Sequence, residues 1–435
     1  MTIAAVKLWG TRIGAVSIES DREHTYFEYD PAFVPSGIQP SPFAMPLSSS
    51  VYEFPELPAG TFHGLPGLLC DSLPDRFGNA LINAWLARHG RTPDQFDVVE
   101  RLCYIGSRGM GALEFEPAQG PQAANTSALH VAELVELASE ILSQREDLQE
   151  SFDDESREQA LRNILHVGTS AGGARAKAVI AWNPETNEVR SGQVESGDGF
   201  EYWLMKFDGV SGNRDKELDD PRGYGRVEYA YAQMAQAAGI RMQPCRLFSE
   251  NGRDHFMTKR FDRLPDGDKL HMQSLAAMRH FDFNSAGAYS YEQALLTIRE
   301  LGLKMDDIEE QFRRMAFNII ARNQDDHVKN IAFLMDRRGQ WSLSPAFDVT
   351  YSYNPQGAWT SRHQMTMNGK RDSFRLDDFR QCGQLASVKR GGAVQIVEQV
   401  EAAVRRWPEF AEAGGVPEDW ANQIQSSFRM MVQDN

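Results

Sequence analysis

Asp325, Asn330 and Asp348 constrain this chain more than any other residues. The first two close a tight loop, Asp325-Asp326-His327-Val328-Lys329-Asn330, whose shortness brings them near each other. The segment Ile331 to Leu343 then reads as two strands around Asp336-Arg337-Arg338-Gly339-Gln340, a turn that sends the chain back so that Asp348 faces the loop. In this pattern one Asp accepts a hydroxyl proton, while the Asn and the later Asp hold magnesium among phosphates. A solvated turn before a hairpin is the plainer reading of the same residues, so the rest of the chain has to support the sharper one.

The bulk numbers narrow the field. With 435 residues, 41% hydrophobic and 24% charged, the chain has globular composition and room for two or three domains. Its formal charge of −16 lacks the basic footprint of a free-standing nucleic-acid binder. The four cysteines, Cys70, Cys103, Cys245 and Cys382, are too scattered for a zinc knuckle or a disulfide framework and suit a reducing cytoplasm. The N-terminus does not read as a signal peptide, and no apolar run is long enough for a membrane span.

Residues Val6 to Ile18 alternate around Trp9-Gly10, and Thr25 to Tyr29 alternate again, which predicts an antiparallel ribbon. A helix is expected over Leu81 to Arg88 and a strand over Gly111 to Phe115. The Pro- and Gly-rich stretch Pro117 to Gln122 then reads as a linker. Helical spacing follows from Leu129 to Leu142, and a second helix from about Glu158 to Ile164. Strands are expected at Ala178–Trp182, Tyr202–Phe207 and Phe256–Thr258, with one helix carrying Val227, Tyr231 and Met234 between them. Beyond about residue 290 the pattern turns helical, and Ile308, Phe312, Met315 and Ile319 mark a helix that delivers the Asp325 loop. This predicts an α+β, bilobal protein-kinase-like fold with an N-terminal β-rich subdomain and a helical C-terminal lobe. The expected domains are 1–118, 127–265 and 266–435.

Four further features bear on chemistry. Ser170-Ala171-Gly172-Gly173-Ala174-Arg175-Ala176-Lys177 is glycine-rich and enters a strand, so its backbone amides could cradle phosphates, although it is no Walker sequence. Lys206 shares a strand face with Tyr202 and Leu204, where an ammonium needs an anion. Glu228, on the next helix, can supply a carboxylate. Lys259-Arg260-Phe261-Asp262-Arg263 ends a strand where a bilobal kinase would join its lobes and take adenine. Each has a structural reading by itself: a turn, a snorkelling lysine, a helix-first-turn acid, a strand end. Their order, glycine loop, strand lysine, helical Glu, hinge and Asp–Asn–Asp, is kinase order. His327 and Lys329 lie inside the catalytic loop, where either could meet phosphate. The basic cluster Lys370, Arg371, Arg375 and Arg380 is interleaved with acids and reads more readily as a solvated helix face than as a DNA contact.

With those residues in view, the chain resembles the HipA family of toxin kinases. Leu8-Trp9-Gly10, Leu73-Pro74-Asp75 and Ile105 to Ala112 resemble the small domain that precedes the family's kinase core. Ser170-x-x-Gly173-Ala174-x-x-Lys177, Arg260-Phe261-Asp262-Arg263, Asp325-x-His327-x-Lys329-Asn330 and Pro345-x-x-Asp348 resemble its nucleotide loop, hinge, catalytic and metal motifs. The resemblance implies a cytoplasmic serine/threonine protein kinase that uses ATP and Mg2+ and acts as the toxin of a toxin–antitoxin pair. It implies Asp325 as general base, Asn330 and Asp348 as metal ligands, and Lys206 on the α- and β-phosphates. It further implies Gly172 to Lys177 over the phosphates, Lys259 to Phe261 against adenine, and autophosphorylation at Ser170, with Thr169 a neighbouring candidate. A small helix-turn-helix antitoxin is the implied partner, DNA is reached only through it, and the implied target is a protein such as an aminoacyl-tRNA synthetase. The chain departs from many relatives at Arg175, Ala176, Lys259 and Asp326, and an acid beside Asp325 is expected to raise the base by like-charge repulsion. Two other readings are a lipid or small-molecule kinase, and a non-catalytic nucleotide-binding co-repressor.

Overall fold

Trp9 and Gly10 both take left-handed backbone (φ 51° and 77°), which is what a two-residue hairpin turn demands. They join Thr2–Leu8 (β1) to Thr11–Ile18 (β2), paired from Thr2↔Ile18 to Leu8↔Thr11. The computed structural model describes residues 1–120, 128–143, 163–165, 167, 175–193, 197–210, 214–215, 218–219, 221–264 and 267–431. Tyr26–Tyr29 (β3), Val51–Tyr52 (β4) and Leu113–Glu116 (β5) complete an antiparallel sheet of order β4-β3-β2-β1-β5. Alternation puts Ala4, Val6 and Leu8 inward, against Val99 and Leu102 of a covering helix.

The helices of this part are Ala59–Phe62 (α1), Gly67–Cys70 (α2), Arg76–Arg88 (α3) and Val98–Ile105 (α4). α3 begins five residues before the expected Leu81, because the Asp75 carboxylate accepts the Gly78 N–H at 2.7 Å and caps it. α4 was not anticipated; Asp97 and Glu100 form a reciprocal capping box at its start.

Next come Val131–Ser143 (α5) and a second antiparallel sheet. Its strands are Lys177–Trp182 (β6), Val189–Ser191 (β7), Glu201–Lys206 (β8), Cys245–Glu250 (β11) and Arg253–Lys259 (β12), in the order β11-β12-β8-β6-β7. A two-residue ribbon, Arg214–Asp215 (β9) with Leu218–Asp219 (β10), stands apart. Trp203, Met205 and Phe207 point into a core shared with Leu134, Ile141 and Ile180. Lys206 points the other way, beside Tyr224–Ala237 (α6). The expected helix from Glu158 falls mostly outside the described residues.

The third part is helical around a small sheet. His271–Ser274 (β13), Ala332–Met335 (β14) and Trp341–Leu343 (β15) pair antiparallel, and the turn foreseen at Asp336–Gln340 joins the last two. Leu275–Arg279 (α7), Tyr291–Glu300 (α8), Met305–Ile320 (α9), Leu376–Leu385 (α10), Gly392–Val404 (α11), Trp407–Ala413 (α12) and Glu418–Ser427 (α13) surround one apolar core. Phe312, Met315, Ile319 and Ile320 of α9 are fully buried there, as their spacing requires.

The first sheet unit packs directly on the rest. Trp9 Nε1 donates to Lys269 O at 2.7 Å, the Gly111 amide donates to Asp262 Oδ2 at 2.7 Å, and Asp71 accepts from Ser274 N at 2.6 Å. Gly67 sits so close to α7 that a Cβ there would lie 2.1 Å from Ala277 O. Among the described residues, no helix is long and apolar enough to cross a membrane.

Candidate active site

α9 ends at Ile320, and Arg322 takes left-handed backbone (φ 59°), turning the chain into the Asp325 loop. A short 3-10 turn over Val328–Asn330 follows, with Val328 buried beneath it. The Asn330 side-chain amide donates to Asp325 O at 2.9 Å. This bond ties the two ends of the motif together. Asp348 also has left-handed backbone (φ 52°), which Asp tolerates better than most residues, and its carbonyl accepts from Asn323 Nδ2 at 3.5 Å. His327, Asn330 and Asp348 share the lining of a cavity of about 30 Å³ with Asn318 and Asn323.

Above this loop runs a chain of buried charge. Lys206 Nζ donates to Glu228 Oε1 at 2.5 Å and also to Asp348 Oδ1. Glu228 Oε2 accepts from Arg175 Nη1 at 3.0 Å. Arg175 itself lies over the Tyr224 ring, 4.7 Å from its centroid. The three inner side chains, Arg175, Glu228 and Lys206, are 9%, 2% and 7% exposed, so their pairing is obligatory. Burial alone would lower Lys206, but Asp348 and Glu228 outweigh it and hold the ammonium above the ordinary lysine value. Burial would raise Asp348; Lys206, then Lys177, overcome it and hold the carboxyl at about 2. Asp348 is therefore an anion at neutral pH.

Lys177 and Asp75 form a second buried pair at 3.2 Å. Asp75 thus caps α3 and meets the lysine that follows the glycine loop. In the sequence Asp75 stands out only within the Leu73-Pro74-Asp75 motif; an Asp at a helix start signals its capping, while nothing local signals its pairing with Lys177. Trp359 was not singled out either, and its indole N–H donates to Asp325 Oδ1 at 2.6 Å.

Other expected site residues lie elsewhere or point elsewhere. The Arg260 guanidinium is fully buried against Asp262, with bonds of 2.9 and 2.7 Å, and Arg263 joins them at 2.8 Å. This cluster faces Gly111 of the first sheet unit. Lys259 pairs with Glu201 at 2.6 Å on the surface, and the Phe261 ring packs on Phe347 at 5.8 Å. Lys329 lies over the Phe283 ring at 4.9 Å, and His327 Nε2 is 3.9 Å from Asp325 Oδ2. Ser170, Ala171, Gly172, Gly173 and Ala174 fall outside the described residues.

Whereas Asp325 meets Trp359, Asp326 is buried against Tyr291, His363 and the Gln364 backbone amide. Burial would raise its carboxyl, and His363 leads the groups that hold it below the usual range instead. In the basic cluster, Lys370 pairs with Asp378 at 2.7 Å and Arg371 Nε donates to His363 O at 2.5 Å.

The residues present suit magnesium. Asp348 offers a carboxylate and Asn330 a side-chain carbonyl oxygen in the lining of one cavity, and magnesium takes few protein ligands when phosphates and water complete its octahedron. Among the described residues no three His, Cys, Asp or Glu side chains cluster as a protein-only metal cage.

An antiparallel sheet with a buried Lys–Glu pair, set against a helical lobe that carries the Asp325 loop, defines a bilobal, kinase-like protein with an added N-terminal sheet unit. Models of the HipA N-terminal domain and the HipA-like C-terminal domain match residues 4–116 and 169–407. The chain belongs to the HipA family. It is similar in fold to a chain of the solved Shewanella oneidensis MR-1 complex of HipA, HipB and operator DNA from a toxin–antitoxin system. That likeness has a TM-score of 0.67 and 14% identity, and covers 97% of this chain and 96% of the other. Y4mE of Sinorhizobium fredii, whose name marks it as a kinase candidate, is 25% identical over 126 residues. That match spans only 27% of this chain and 30% of the relative.

Proposed function

We propose that this chain is an ATP-dependent serine/threonine protein kinase and the toxin of a toxin–antitoxin pair, with domains 1–118, 127–265 and 266–435. One observation carries the reading. Lys206 stands between Glu228 and Asp348, so a strand, a helix and the segment after the catalytic loop meet at one ammonium.

In this reading Asp325 accepts the proton of the attacking hydroxyl, and the Asn330 bond to its backbone keeps the loop tight. Lys206, already raised and held by Glu228, meets the α- and β-phosphates. Asn330 and Asp348 would hold magnesium, which neutralises phosphate charge when bound. Lys177 and the glycine loop before it lie over the phosphates, and backbone groups from Lys259 to Phe261 receive adenine. The Arg260 side chain instead ties that segment to the N-terminal unit. Catalysis of this kind is mainly positioning and charge neutralisation. The partner is a small helix-turn-helix antitoxin that brings the chain to DNA, the acceptor is a protein such as an aminoacyl-tRNA synthetase, and the setting is the cytoplasm. Ser170 is the proposed autophosphorylation site.

The test is to incubate bacterial lysate with ATP and purified protein, wild type against Asp325→Asn, and map new phosphosites. Serine or threonine phosphoproteins made only by the wild type support the reading. Labelled lipid or metabolite without phosphoprotein, or unchanged labelling in Asp325→Asn, contradicts it.

A further inference from the structure

We infer that Trp359 positions the Asp325 carboxylate for proton abstraction, and that Asp326 is the buried anchor that keeps Trp359 there. This rests on the kinase reading above and assigns roles within the same site.

The contact itself is specific. Trp359 Nε1 donates to Asp325 Oδ1 at 2.6 Å. An indole N–H donates and cannot accept, so it orients a carboxylate without taking the proton that the carboxylate must receive. Oδ1 receives the indole, while Oδ2 lies 3.9 Å from His327 Nε2.

The segment that carries Trp359 belongs to no helix or named strand, so side-chain bonds have to place it. They converge on the catalytic loop. Gln364 Nε2 donates to Trp359 O at 2.5 Å, and Gln324 Nε2 donates to Thr360 O at 2.9 Å. Asp326 Oδ1 accepts the Gln364 amide at 2.7 Å, and Asp326 Oδ2 meets His363 Nδ1 at 2.7 Å and the Tyr291 hydroxyl at 2.5 Å. Gln324, Asp326, His363 and Gln364 are all buried, whereas Asp325 and Trp359 stay partly exposed at the cleft. The two adjacent acids therefore divide the work. Asp325 faces the reaction, and Asp326 faces inward and pins the strap that holds Trp359 on Asp325. This gives the acid at position 326 a role of its own in the site.

Trp359→Phe keeps an aromatic ring at the position while removing the N–H together with part of the indole. Loss of one hydrogen bond to a charged group predicts a roughly 10- to 100-fold lower rate of 32P transfer from ATP into lysate protein, with ATP affinity by equilibrium titration and melting temperature unchanged. A purely structural role would move affinity or melting as well. Asp326→Asn should lower the rate in the same direction, and the double variant should fall no further than the more damaged single one. If Asp326→Asn does not fold, Trp359→Phe decides alone. A Trp359→Phe rate within about threefold of wild type, or a loss matched by weaker ATP binding, overturns the inference. Transfer that persists in Asp325→Asn overturns the kinase reading itself; transfer lost there but kept in Trp359→Phe overturns only the role of Trp359.

Discussion

Replacing Glu228 by Gln should cost this protein a large part of its stability. The Glu228 carboxylate is 2% exposed and its two oxygens serve two cations, Lys206 at 2.5 Å and Arg175 at 3.0 Å. A glutamine keeps the volume but presents an NH2 to one of those cations. Removing one member of a buried ion pair costs about 3–5 kcal/mol. Three features hold the loss near the lower end: Lys206 retains Asp348, Arg175 retains the Tyr224 face, and the amide oxygen still accepts from one partner. At about 2–4 °C per kcal/mol, a loss of about 3 kcal/mol lowers the midpoint of that lobe by about 6–12 °C. Thermal unfolding followed by circular dichroism measures this directly. Arg175→Met leaves Glu228 paired with Lys206 and should cost less. A Glu228→Gln midpoint within about 2 °C of wild type, or one higher than that of Arg175→Met, would refute the reasoning.

Acid should destabilise the protein from about pH 6.5 downward. His255 and His271 are buried, and burial lowers both to about 4, with Arg253 adding to the effect at His255. The unfolded chain binds these protons near pH 6.5, so the native state is fully favoured above that value and loses stability as pH falls through about 4, by about 3 kcal/mol for each histidine. Urea midpoints that stay level between about pH 7 and pH 4.5 would contradict this. Gly67→Ala places a Cβ 2.1 Å from Ala277 O and should pry α2 off α7, at about 1–3 kcal/mol. Faster hydrogen exchange at the Gly67 and Ser274 amides would register the change, and unaltered exchange would count against the packing described. Phe substituted for Trp359 provides a further check, through the rate and affinity measurements already described.

The parts of the site that are legible in the sequence are those set by local periodicity. Lys206 shares a strand face with Tyr202 and Leu204, and that alternation alone says it must find an anion; the helix that follows holds Glu228. The hairpin that returns Asp348 is written in its turn residues, with Gly339 at φ 79° and Asp336 Oδ1 accepting two turn amides. What escapes are bonds between residues far apart in the chain. Nothing local pairs Asp75 with Lys177 or Arg175 with Glu228, or sets Trp359 on Asp325. The divergence of Asp325 and Asp326 escapes for a different reason: in an irregular loop no period tells which side chain faces the core. Arg260 is an intermediate case, since an Asp two residues along an extended segment can share its face and take its charge.

In the proposed reaction Asp325 moves a proton while Lys206, Asn330 and Asp348 manage phosphate charge. Its most direct test is single-turnover transfer of the labelled γ-phosphate by wild type, Asp325→Asn and Asp348→Asn, with nucleotide binding measured on the same samples. The account predicts that Asp325→Asn binds ATP like wild type yet transfers at least about a hundredfold more slowly, and that Asp348→Asn loses transfer as well. Wild-type transfer rates in either variant would contradict it.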